Sequence, residues 1–131
     1  MGLVTAAAWT IAALAGVYLL SLWLAGGGLR RAKVTRFPAA LVFAHPALAV
    51  SSLVCWAAGL ATGSRALAWA AFAGLAAAAL LGFAMSTRWL GTGRHGTAGH
   101  AFPALAVTLH GLAGVTAFTL VFLTASALRV F

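Results

Sequence analysis

The sequence predicts an all-α integral membrane protein, a four-helix bundle made of two repeated helical hairpins in a single domain. Three observations carry that expectation. The 131 residues are 64% hydrophobic and 6% charged, whereas a soluble domain is about a quarter charged. Four apolar runs are each long enough to cross a hydrocarbon core of about 30 Å. The stretch Phe37-Pro-Ala-Ala-Leu-Val-Phe-Ala-His45 returns 65 positions later as Phe102-Pro-Ala-Leu-Ala-Val-Thr-Leu-His110. Ala and Val are cheap matches in so apolar a chain. Phe-Pro followed by His is not, with only three Pro and four His available.

The first helix is expected over 3–25, too long for a signal peptide and without a basic residue before it. Gly26, Gly27 and Gly28 end it. Arg30, Arg31, Lys33 and Arg36 then form a basic loop. Pro38 opens the second helix, expected over 38–61, where a first turn tolerates proline. Pro46 directly follows His45 and cannot donate to the Val42 carbonyl, so a kink or a freed carbonyl is expected there. The short turn Thr62-Gly63-Ser64-Arg65 makes the second and third helices antiparallel neighbours.

The third helix is expected over 66–87. Its small residues Ala70, Gly74, Ala78 and Gly82 recur every fourth position and read as a packing seam. Gly91 to His100 is the one sizeable polar loop. Its glycines read as a connector, and His95 and His100 without Cys or carboxylate make a poor metal set. The fourth helix is expected over 102–128. The repeat extends backwards too. Ser21 and Ser86 are 65 apart, and Trp23-Leu24 returns as Trp89-Leu90 one residue out of register. A hairpin used twice implies a pseudo-two-fold axis along the membrane normal.

The chain has eight Lys or Arg and no Asp or Glu. That excludes carboxylate proton relays, hard-cation sites and a Ser-His-Asp triad. The charge of +8 lacks the polar face that nucleic-acid binding needs, so no nucleic-acid partner is expected. The lone Cys55 lies in an apolar run and reads as a small buried hydrophobe. Arg30, Arg31, Lys33, Arg36, Arg88 and Arg94 fall on one side, and Arg65 and Arg129 on the other. Six against two puts the richer side in the cytoplasm and both termini outside, in a bacterial inner membrane. Trp9, Trp23, Trp56, Trp69 and Trp89 fall mostly near predicted interfaces and read as belt anchors.

His45 and His110 each lie about eight residues past the cytoplasmic start of a helix, or about 12 Å down. Ionisable residues at such depth are functional candidates. Two imidazoles at equal depth across a bundle axis suit the axial positions of one b-type haem. A macrocycle needs small neighbours, and Ala106, Ala113, Gly114 and Ala117 surround His110 at helical spacing, with Ala49 and Ser52 near His45. Haem propionates need cations, for which Lys33, Arg36, Arg88 and Arg94 are candidates. A plainer expectation competes: each His hydrogen-bonds across helices, to the Val42 carbonyl, Ser51, Thr108 or Thr116.

A small bundle with His ligands inside the membrane resembles the membrane cytochromes b, namely the anchor subunits of succinate dehydrogenase and the b561-like proteins. The resemblance covers the architecture and the pair His45 and His110. It implies electron transfer between a quinone and other subunits of a membrane complex, by a chain that is not an enzyme alone. The two-haem pattern wants two His pairs on facing helices, and His95 and His100 lie in a loop instead. Small four-helix bacterial membrane proteins with one His per hairpin are also similar and imply no activity. Two rival expectations stand beside the haem. One is a cofactor-free accessory subunit packed by its Ala/Gly seams. The other is a chlorin-binding subunit, because Ala106-Val-Thr-Leu-His110 resembles the Ala-x-x-x-His of bacterial antenna helices. Two separate pigments would turn the histidines apart, and one shared haem would turn them inward.

Overall fold

The computed structural model describes residues 2–31, 38–92 and 102–127. Four long helices cross one another as a bundle: α1 (Gly2–Ala25), α3 (Ala39–Thr62), α4 (Arg65–Thr92) and α5 (Ala104–Ala127), with a single-turn α2 (Gly28–Arg31) after the first. Each long helix is apolar enough to span a membrane, and most of its surface faces outward. The protein is therefore an all-α, multi-pass, four-helix membrane bundle in contact with lipid. Backbone groups in hydrocarbon can be satisfied only within such helices, which is why apolar runs of this length take this form.

Local chemistry sets the boundaries. Gly27 has φ 78° and turns the chain out of α1, a conformation that costs glycine little. Gly63 has φ 68° and caps α3 in the left-handed region. Ser64 Oγ then accepts from the Leu67 amide at 3.4 Å as α4 begins. Pro38 stands just before α3 with ψ 140°, one residue outside the helix rather than in its first turn. Its carbonyl accepts from the Val42 amide at 3.2 Å, and the Pro103 carbonyl accepts from Val107 at 3.1 Å. The two Phe-Pro phrases thus start their helices with the same bond. Pro46 lies inside α3, which continues through it. The third long helix outlasts its expected end at Thr87, continuing to Thr92, since no proline interrupts 88–92.

The antiparallel neighbours α3 and α4 pack most extensively, followed by α1 on α5 and then α4 on α5, while α1 barely meets α3. The two strongest pairs therefore join different hairpins. Repeat symmetry relates them, since α1 corresponds to α4 and α3 to α5. Around the terminal half of the bundle, Ala8, Trp9, Trp56, Ala71, Leu75, Ala117 and Val121 form the core. Half-buried Cys55 packs against it. Trp9, Trp23 and Trp56 are buried, so three of the five tryptophans are interior residues and not belt anchors. The belt expectation took sequence distance from a helix end as depth. It had no access to which face the helix turns inward.

The small stripe on α4 is a seam at Gly74, Ala78 and Gly82, while Ala70, its fourth expected member, is exposed. A Cβ on Gly74 would stand 2.5 Å from Ser52 Oγ, and Ser52 is 2% exposed. Gly74→Leu is expected to part α3 from α4 and to lower stability by about 1–3 kcal/mol, the usual range for overpacking. Thermal unfolding in detergent measures it. An unchanged midpoint would mean the seam yields freely.

Candidate functional site

His45 and His110 meet inside the bundle. Their ring centroids are 5.8 Å apart and their planes 67° from one another. Both side chains are half-buried. The core described above lies on the terminal side of the pair, and buried Trp23 and Val42 lie on its loop side.

Each ring is held by the first helix of the other hairpin. His45 Nδ1 lies 2.8 Å from the Ala78 carbonyl on α4. His110 Nδ1 lies 2.8 Å from the Ala12 carbonyl on α1. A carbonyl can only accept, so in each neutral ring the proton sits on Nδ1 and the lone pair on Nε2. Among the described residues, neither Nε2 has a hydrogen-bond partner. Two lone pairs are thus left without a described partner, in the tautomer that metal-bound histidines take when Nδ1–H is fixed by a carbonyl.

Glycines make these positions possible. A Cβ on Gly16 would lie 3.0 Å from His110 Cε1, and one on Gly82 would lie 3.1 Å from His45 Cε1. Side chains there would push the rings off their carbonyls. Gly16 and Gly82 are 66 apart, as are Ala12 and Ala78. The second hairpin's first helix is shifted by that one residue, as the Trp-Leu pairs indicated. Sequence reasoning found both histidines and the glycine stripe that contains Gly82. It missed Gly16, whose signal is visible only at the 66-residue offset.

The other candidates fall as follows. Ala113 is buried, while Ala106 and Gly114 are half-buried. Ala117 is 1% exposed and belongs to the core cluster on the far side of the pair. A Cβ on Gly114 would meet nothing within 4 Å. Arg88 is exposed near the end of α4, six residues beyond Gly82, or about 9 Å along the axis. Lys33, Arg36 and Arg94 lie outside the described residues, as do the loop histidines His95 and His100. Ser51 Oγ donates to Ala47 and Thr116 Oγ1 donates to Leu112, each within its own helix. The cross-helix partners of the histidines are carbonyls of α1 and α4 instead.

The donor set fits an imidazole-ligated metal. Two imidazoles bound end-on to one metal, each nitrogen about 2 Å from it, have ring centroids roughly 6 Å apart. The observed separation is 5.8 Å. Small residues line this level, with Ala12, Ala78 and Ala113 buried and Gly16 and Gly82 against the rings.

Fold and site together define a class: a four-helix membrane protein with an interior histidine pair held across its internal repeat. Comparison with family models, with curated proteins and with solved structures finds no match.

Proposed function

We propose that the chain is a membrane electron-transfer subunit that holds one b-type haem between His45 and His110. One observation carries the reading: two imidazoles of one tautomer meet 5.8 Å apart, each Nδ1 tied to a backbone carbonyl and each Nε2 without a described partner. The pairing also favours one shared group over two separate chlorins, which would need rings turned apart. When bound, a haem supplies reversible one-electron chemistry. The chain's own residues hold and orient. Ala12 and Ala78 fix the tautomer and make each Nε2 a better donor. Gly16 and Gly82 let the rings reach those carbonyls. Ala106, Ala113 and Gly114 leave room beside His110. Arg88, with Lys33, Arg36 and Arg94, offers cations for two propionates.

Electrons would pass between a quinone in the bilayer and other subunits of a membrane complex, the partners that the resemblance to the membrane cytochromes b implies. A visible spectrum of the purified protein, oxidised and reduced, tests the reading. A split low-spin haem spectrum is expected. A colourless protein with its cofactor complement intact would leave the histidines as clamps between helices, the role of an accessory subunit.

The same reading places the protein in a bacterial inner membrane with both termini outside, because six of eight cations flank the loops after the first and third long helices. With Cys55 replaced by Ala, a cysteine at Ala32 should be labelled only from the cytoplasm and one at Ser64 only from the periplasm. Labelling of Ala32→Cys by an impermeant reagent in intact cells would invert the topology.

A further inference from the structure

The chain has two methionines, Met1 and Met85, and the second is a soft donor beside the histidine pair. Met85 lies in α4 on the face that the helix turns inward. Ala71, Leu75 and Ala78 are buried along that face, Gly82 meets the His45 ring, and Met85 continues the alternating four- and three-residue spacing. It stands two turns beyond Ala78, whose carbonyl receives His45, and a seven-residue step returns to the same face within about 20°. Met85 is half-buried there, about 4.5 Å along the axis past Gly82. Helical side chains lean towards the N-terminus of their helix. The Met85 thioether therefore leans back to the level of Gly82 and the His45 ring. The repeat places Leu19 at the matching position of α1, so sulphur comes from one side only.

Nε2 of His45, Nε2 of His110 and Sδ of Met85 thus make a set of three uncharged donors, and its chemistry selects the guest. The chain has no Asp or Glu, and among the described residues no three His, Cys or carboxylate side chains come together. Hard cations lack oxygen ligands here, and zinc lacks its four donors. Charge decides further. The cost of taking an ion out of water rises with the square of its charge, so a dication costs about four times as much as a monocation. No anionic ligand offsets that cost here. Imidazole and thioether both suit copper, and copper(I) is a monocation that accepts two or three such donors. Both Nδ1 atoms are tied to carbonyls at 2.8 Å, so each neutral ring offers its Nε2 lone pair with no proton to displace.

We infer that the haem-free protein binds one copper(I) ion through Nε2 of His45, Nε2 of His110 and the sulphur of Met85. Copper(I) and haem claim the same two nitrogens, so each excludes the other, and copper(I) binding does not rest on the electron-transfer reading.

The test uses the full chain in detergent, from cells denied the means to make haem. Copper(I) is titrated without oxygen against a chromophoric chelator. One ion per chain is expected, with a copper-edge X-ray absorption spectrum of two nitrogens and one sulphur. Met85→Leu keeps the side-chain volume and removes the sulphur. It should weaken binding about tenfold or more, no less than the loss of an outer-shell partner, and delete the sulphur scattering while helicity stays native. His45→Ala and His110→Ala should abolish binding, and His95→Ala/His100→Ala should leave it unchanged. No copper(I) on the wild type, full binding in His45→Ala, binding lost with the loop histidines, or a nitrogen-only centre indifferent to Met85→Leu overturns the site. Protein supplied with haem is measured alongside. A haem spectrum there, with no copper(I) uptake by the haem-free chain, retains the electron-transfer reading and sinks the copper site. Copper(I) uptake by a chain that takes no haem does the reverse.

Discussion

Replacing either histidine with alanine is expected to turn a low-spin iron high-spin or to empty the site. In the proposed site His45 and His110 would both ligate the iron and hold it low-spin. His45→Ala removes one Nε2 and leaves a five-coordinate or water-bound iron, and His110→Ala does the same from the other side. The protein should survive either change. Each variant loses one bond between helices, at 2.8 Å to Ala78 or Ala12, and such bonds inside membranes contribute on average only about 0.6 kcal/mol. The double variant should look no worse than the singles, since one loss already destroys a paired site. Electron paramagnetic resonance and the Soret band read the spin state. Single variants that each keep half the pigment with unaltered coordination would mean two separate sites. His95→Ala and His100→Ala should leave the spectrum unchanged, because sequence places both in the loop outside the hydrocarbon.

The second large effect is expected from three glycines that look alike in sequence. Gly16→Leu and Gly82→Leu drive a side chain into His110 and His45, whose Cε1 atoms already stand 3.0 and 3.1 Å from a bare Cβ. Both should displace a ring, lower stability by about 1–3 kcal/mol and lose the haem. Gly114→Leu meets no atom within 4 Å of its Cβ. It should keep wild-type insertion and thermal midpoint yet reduce haem content, because the space it fills is the space proposed for the macrocycle. Haem content by pyridine haemochrome assay, set against the thermal midpoint, separates the two kinds of variant. Full occupancy in Gly114→Leu would put the macrocycle on another face of α5.

Much of this was legible in the residues. Hydropathy and run length determine four membrane helices, since lipid allows a lone apolar segment no other form. The Phe-Pro phrases mark where two of those helices start, because proline lacks the donor that a helix interior needs. The recurrence of His45 as His110 sets the pair at one depth. Spacing along a helix is fixed at 1.5 Å per residue, so depth follows from counting.

Which faces meet was decided only by the tertiary structure. The short turn after Thr62 announces α3 against α4, but nothing in the order of the chain says that α1 packs on α5, so that each histidine is received by the other hairpin. That choice gives the carbonyls of Ala12 and Ala78 their role and makes Gly16 part of the site. It also buries Trp9 and Trp56, which the sequence suggested as interface anchors. The physical reason is that an apolar helix is apolar all round. With no polar face to turn away from the core, its rotation is set by which small and large residues fit against a neighbour, and that fit exists only between helices.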